Sequence, residues 1–160
     1  MSLNTYKAKR DFGRTSEPAH SRARAGGEGL IYVIQKHRAS RLHYDLRLED
    51  GGVLKSWAIP KTPLNTGGIK RLAVQTEDHP LGYEDFEGTI PENQYGAGTV
   101  EIWDKGTYCA LEATPAKIVV ELSGRRLKGR FALIRIKARA GGEKNWLFFK
   151  LGPLRGNPRT

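Results

Sequence analysis

From Leu30 onward the chain is built of short runs in which β-branched and aromatic residues alternate with polar ones: LIYVIQKH, LHYDLRLE, VLKSWAIP, RLAVQTED, TVEIWD, KIVVELS, RFALIRIK and NWLFFKL. A period of two marks a strand with one face turned to a core. Between the runs stand EDGGV, NTGG, YGAGT and ARAGGEKN, compositions of hairpins and loops, and no helical period of ordinary length interrupts them. The pattern predicts about eight strands in an all-β, mainly antiparallel domain, either a barrel or a sandwich. Residues 1–28 differ. They are polar, rich in Arg, Ser and Gly and without a period, so they read as an extended N-terminal arm preceding one domain over residues 29–160.

Alternation also assigns faces. In HYDLRLE, the residues His43, Asp45, Arg47 and Glu49 lie opposite Tyr44, Leu46 and Leu48, and in YVIQKH, Gln35 shares a face with His37. In RLAVQTEDH the same rule groups Arg71, Gln75, Glu77 and His79 against Leu72 and Val74, provided the strand runs that far. Polar stripes are ordinarily the wet faces of half-exposed strands, and that is the plain reading here too. The chemistry of this stripe argues for more. Two imidazoles and one carboxylate suit a transition metal and leave coordination positions open for substrate or water, which makes His37, His43 and Asp45 candidate ligands. Arg47, on the same face, offers a planar fork that matches phosphate oxygens. His79 is placed to orient or protonate a leaving oxygen, while Glu77 either fixes its tautomer or pairs with Arg71 as a structural ion pair.

Charge points to the same class of ligand. The net charge is +10, with a pI near 9.9, and it is unevenly spread: Lys and Arg crowd residues 1–48 and 117–150, whereas no basic residue stands between Arg71 and Lys105. Such a field favours polyanions, nucleic acid first among them. No apolar run approaches the roughly 20 residues that cross a bilayer and no secretion signal is visible, so the expectation is a cytoplasmic protein without a membrane partner. The single cysteine, Cys109, has no intrachain partner and is expected to be a small buried side chain. Trp57, Trp103 and Trp146 lie within strand runs and are expected to fill the core, and His20 falls in the polar arm.

Three segments are similar to a known family. QKHRASRLHYDLRLEDGGVLKSWAIPK, KRLAVQTEDHPLGYEDFEG and IPENQYGAGTVEIWDKG resemble the 3′-phosphoesterase domain of the bacterial and archaeal DNA ligase D of nonhomologous end joining, and the likeness runs from about Tyr6 to Leu151. Polymerase and ligase segments are absent from the sequence, so the likeness is to a free-standing form whose ligase, polymerase and end-binding partners act in trans. The resemblance implies a compact closed β-barrel that heals 3′ ends with one divalent metal ion, typically Mn2+, with Co2+ or Zn2+ as substitutes. It implies two activities on a primer-template: a phosphodiesterase that removes a terminal 3′ ribonucleoside, and a phosphomonoesterase that turns the resulting 3′-phosphate into a ligatable hydroxyl. By position, His37, His43 and Asp45 become the metal ligands, and Arg47 and His79 act on the phosphate. His43 and Tyr83 join the catalytic set. Arg10, Lys61 and Arg71 fall among the phosphate-binding positions, and Asp11, Glu17, Gln35 and Glu77 among the supporting ones. The arm then becomes a lid or clamp, and a barrel of this size is read as a monomer. Two departures, Thr62 and Asn93 where the family usually has Gly, fall outside the proposed ligands.

Two other readings compete. His43, Asp45 and His79 also spell the metal set of a non-haem iron oxygenase. A basic barrel that only binds nucleic-acid ends is the non-catalytic alternative, though a pure binder has no use for a carboxylate among its cations.

Overall fold

The structure is a computed structural model, described here for residues 3–19, 29–136 and 142–152. The eight runs become eight strands of one ring. β1 (Leu30–Arg38), β2 (Leu42–Asp50), β3 (Val53–Ile59) and β4 (Arg71–Pro80) pair in succession, and β6 (Gly98–Thr114), β7 (Lys117–Ser123), β8 (Lys128–Arg135) and β9 (Asn145–Lys150) complete the wall. Every ladder is antiparallel, and β1 pairs with β6 to close the barrel. A ninth strand, β5 (Gly88–Ile90), adds to the edge of β6 and is too short to leave a periodic signal. The β2–β3 hairpin turns on Gly51 and Gly52, both with positive φ, the conformation a two-residue turn between twisted strands demands.

The barrel interior takes the even positions of β1 and β2. Tyr32, Ile34, Tyr44, Leu46 and Leu48 meet Trp57, Ile59, Phe131, Leu133, Trp146 and Phe148 in one buried cluster. Each such side chain contributes roughly 1.5–3 kcal/mol by leaving water. Trp57 and Trp146 fill this core edge to face as expected, whereas Trp103 is only half-buried at its margin, beneath the Arg126 guanidinium. A second cluster lies on the outer face of the same wall, where Leu54 is covered by Tyr6, Leu81, Tyr83, Phe86, Ile90 and Val100.

Three expectations need correction. Described residues of the arm do not extend: Asn4–Ala8 form a helical turn (α1), and Tyr6 is fully buried against the barrel. The apolar faces of Tyr6 and Phe12, invisible to a periodicity rule in so short a segment, drive this packing. Cys109 is exposed, because the second half of β6 runs out beyond the barrel as a solvated ribbon. In β4 the predicted face is broken. Leu54 faces His79 and Ser56 faces Thr76, so one residue of β3 opposes two of β4, and this bulge at Glu77 and Asp78 reverses the alternation. Gln75 therefore points inward and accepts the Trp146 indole N–H, while Leu72 is 41% exposed. His20 lies outside the described residues.

Candidate metal and phosphate site

The outer face of β1–β4 carries a polar cluster that is buried without being part of the barrel core. In register, His37 stands opposite His43, Gln35 opposite Asp45, and Arg47 opposite Ser56. Asp45 Oδ2 lies 3.5 Å from His37 Nδ1, 3.3 Å from His43 Nε2 and 3.6 Å from an Arg47 terminal nitrogen. The three candidate ligand atoms lie within 4.8 Å of one another.

The tautomers are fixed from behind. His37 donates Nε2–H to the Gly96 carbonyl (2.6 Å), and His43 donates Nδ1–H to the Arg41 carbonyl (3.1 Å). In the neutral imidazoles both remaining ring nitrogens therefore turn lone pairs to the carboxylate, so that three acceptors converge and a shared cation, proton or metal, fits between them. Burial alone would raise the Asp45 carboxyl, but His37, His43 and Arg47 outweigh it and hold it well below the usual carboxylate range. Burial likewise works against charge on His43, yet Asp45 and the Arg41 carbonyl raise its pKa above the ordinary value. The donor set fits one divalent ion bound by two neutral imidazoles and one ionised carboxylate.

Arg47 is held as a rigid fork. Nε donates to Gln35 Oε1 (2.6 Å), one terminal nitrogen donates to Ser56 Oγ (2.8 Å), and the guanidinium lies 4.7 Å above the Tyr83 ring. Gln35 in turn donates to the carbonyls of Tyr83 (2.7 Å) and Phe86 (3.1 Å), tying the β4–β5 segment to the site.

Across the cavity stands His79. Its Nδ1–H is donated to the backbone carbonyl of Glu77 (3.0 Å), so Glu77 fixes the tautomer through its main chain, and Nε2 accepts from Arg10 (3.4 Å). Burial, reinforced by the Arg47 and Arg10 charges, pushes the imidazole well below its ordinary pKa. The Glu77 carboxylate pairs with Lys9 and Arg10, both at 3.3 Å. The suggested Arg71–Glu77 pair does not form, because Arg71 sits at the far end of β4 and donates to the Thr62 carbonyl. Arg10 also binds Glu17 (3.1 Å), whose carboxylate accepts the Tyr83 hydroxyl (2.5 Å). Burial, foremost, and Glu17 raise the Tyr83 phenol well above its usual range, so it stays protonated and donates its hydroxyl hydrogen to Glu17.

Arg10, His37, His43, Asp45, Arg47, Glu77, His79 and Tyr83 thus line one cavity of about 310 Å³, with Gln35 and Glu17 directly behind it. Three predicted residues are not brought in. Lys61 is exposed beyond the end of β3, Arg71 is at the opposite end of its strand from His79, and Asp11 closes an exposed turn with Gly13. Sequence reasoning missed Ser56, Thr76, Lys9, Tyr95 and Gly96. A small polar Ser in the strand run VLKSWAIP was the one available signal; the others depend on the bulge, on loop closure and on the docking of the arm. Asn93 has a positive φ of 71°, a region that glycine enters freely and that asparagine tolerates better than most other residues. Among the described residues the one His/Asp cluster with metal-ligand spacing uses His37, and the oxygenase set with His79 does not assemble.

A family model described as the DNA Ligase D 3′-phosphoesterase domain matches residues 35–135. The multifunctional non-homologous end joining protein LigD of Pseudomonas aeruginosa is 48% identical over 154 residues, covering 92% of this chain and 18% of the relative. LigD of Mycobacterium bovis is 44% identical over 153 residues, covering 93% and 20%, and that of Mycolicibacterium smegmatis is 42% identical over 160 residues, with the same shares. The chain spans about a fifth of the length of these relatives.

Proposed function

The chain belongs to the DNA ligase D 3′-phosphoesterase domain family, and from this we propose that it heals DNA 3′ ends with a divalent metal ion, Mn2+ in the first place. The substrate is a primer-template ending in a 3′ ribonucleotide or a 3′-phosphate, and the product is a 3′-hydroxyl ready for a ligase. Ligase, polymerase and end-binding partners join it in cis or in trans, a reading supported by relatives that are named as multifunctional non-homologous end joining proteins.

One observation carries the reading: two imidazole lone pairs and an ionised carboxylate converge beside a buried arginine fork, across one cavity from a second arginine and a neutral imidazole. His37, His43 and Asp45 would hold the ion, which supplies Lewis acidity and charge at the phosphoryl group. The chain's own residues do the rest. Gln35 and Ser56 occupy two of the five Arg47 donors and leave others for equatorial phosphoryl oxygens, whose charge is what phosphoryl transfer must stabilise. Arg10, braced by Glu17 and Glu77, supplies a second cation from the arm. His79 is held neutral at rest by burial, reinforced by two guanidiniums that oppose its charge. A phosphate bound between them offsets that field and raises its pKa, so that Nε2 can carry a proton to the leaving oxygen.

The test is product analysis on labelled primer-templates ending in a single ribonucleotide or in a 3′-phosphate. It is run with Mn2+, with chelator and with His43→Ala. Stepwise conversion to a 3′-phosphate and then a 3′-hydroxyl, lost with chelator and in the variant, is the expected result. Binding without any change of end under every metal tried overturns the proposal in favour of an end-binding barrel.

A further inference from the structure

Resting on that reading, we infer that Tyr95 and the groove beside it form the subsite for the leaving nucleoside, with the phenol ring as the platform on which the terminal base stacks. Tyr95 is 48% exposed, unusual for a large aromatic side chain held so firmly. Its loop is closed by two turns, from Gln94 N–H to the Pro91 carbonyl and from Ala97 N–H to the Gln94 carbonyl. The next residue, Gly96, has a φ of 77° and gives its carbonyl to His37 Nε2–H, so a single hydrogen bond fixes Tyr95 relative to a candidate metal ligand. From the arm side Lys9 donates to its hydroxyl (3.3 Å), and the Lys9 and Arg10 charges lie 4.5 Å and 5.3 Å from the ring centre. A half-exposed ring on a rigid backbone, with the Lys9 and Arg10 cations over it, can take a base on the surface they leave open.

Position and charge select the occupant. Thr76, Glu77 and Tyr95 line both the metal cavity and an adjoining groove of about 800 Å³, so whatever leaves the phosphorus in this direction passes Tyr95. The groove sets three cations, Lys9, Arg135 and Lys144, against two carboxylates, Glu77 and Glu143, while Asp78 joins its wall with its carboxylate buried against Lys55. Charge so nearly offset offers less to a phosphodiester chain than an open row of cations does, and it suits an uncharged nucleoside with hydroxyl and base-edge hydrogen-bonding groups. The upstream strand therefore lies elsewhere.

The inference separates the two reactions of one site, because only the diesterase step has a nucleoside to bind. Tyr95→Ala and Tyr95→Phe are compared with wild type on primer-templates ending in a ribonucleotide, in a base-free ribose joined by the same phosphodiester, and in a 3′-phosphate. Tyr95→Ala should lower the ratio of diesterase to monoesterase kcat/KM about tenfold, the loss of one stacked base. Tyr95→Phe should restore it to within twofold, and wild type should lose the same factor on the base-free end, where Tyr95→Ala loses no more. An unchanged ratio, whether both reactions fall together or neither does, overturns the subsite. A wild type that processes neither end overturns the phosphoesterase reading and the subsite with it, and is seen before any variant is compared.

Discussion

Leu46 and Arg47 are neighbours in one strand and belong to two different structures. Leu46 points into the barrel among Tyr32, Trp57 and Phe148, where apolar area and close packing decide everything. Arg47 points out of the same wall into a pocket that is nearly as buried, but buried by the arm and the β4–β5 segment instead of by the ring. The inner face is dry and self-sufficient. The outer face stacks charges whose desolvation is offset by one another and by neutral partners: Asp45 by His37, His43 and Arg47, Glu17 by Arg10 and the Tyr83 hydroxyl, Glu77 by Lys9 and Arg10. The same alternation thus separates what folds the domain from what works in it, and substitutions should separate along the same line.

The largest effect belongs to the inner face. Leu46→Ala should cost about 2–5 kcal/mol in denaturant unfolding, with kcat of the folded fraction unchanged. A loss of kcat at a temperature where the variant stays folded would mean that the two faces are not independent. Arg47→Ala is the converse. Its turnover should fall roughly 10²–10³-fold, the scale for losing one charge-stabilising donor, and Arg47→Lys should recover only part, since an ammonium cannot bridge Gln35, Ser56 and a phosphate together.

Gln35 is where the comparison should blur. It orients Arg47 and anchors two loop carbonyls, so Gln35→Leu leaves three buried polar groups without their partner, at about 1–3 kcal/mol each at most, and should lower both thermal stability and activity. A variant that lost activity alone would assign Gln35 wholly to the outer site.

The smallest effect is electrostatic. The folded-state pKa of His79 is depressed, so the unfolded chain takes up a proton near pH 6.5 that the folded chain refuses. Stability from this group is complete above about pH 6.5 and is lost as pH falls. His43 has the opposite sign, contributing stability below that pH that is lost as pH rises through its folded value. The readout is therefore the difference in melting temperature between wild type and His79→Asn, which should shrink steadily from about pH 7 to 5. A constant difference would show that His79 is not held neutral.

Much of this was legible in the chain. The eight runs became the eight ring strands, and the stripe of His43, Asp45 and Arg47 lies on one face because nothing in β2 disturbs a period of two. What was not legible depended on events that period cannot encode. A one-residue bulge turned Gln75 inward and Leu72 outward and carried His79 to the site face while leaving Arg71 at the far end. The arm gave no periodic signal, since a five-residue helix and a turn cannot repeat, so Arg10 and Glu17 were reached only through the family resemblance. Nor does alternation say whether the polar face is covered. The polar stripe could have been a wet surface, and only the arm and the β4–β5 segment make it a pocket.

The central claim is that the outer-face triad holds the metal on which catalysis depends, and its most direct test joins binding to turnover. Mn2+ is titrated into metal-free wild type and Asp45→Ala, with bound ion followed by electron paramagnetic resonance and 3′-phosphate removal measured on the same samples. One ion per chain should bind to wild type, activity should rise in step with occupancy, and the variant should lose at least about a hundredfold in affinity, because even groups that merely brace a ligand account for 10- to 100-fold. The variant should stay folded, melting somewhat below the metal-free wild type because Arg47 loses a buried partner, and Gln35 and Ser56 keep that loss small enough for the barrel to remain intact. Full turnover by the metal-free protein, or by Asp45→Ala at the wild-type metal requirement, would contradict the account.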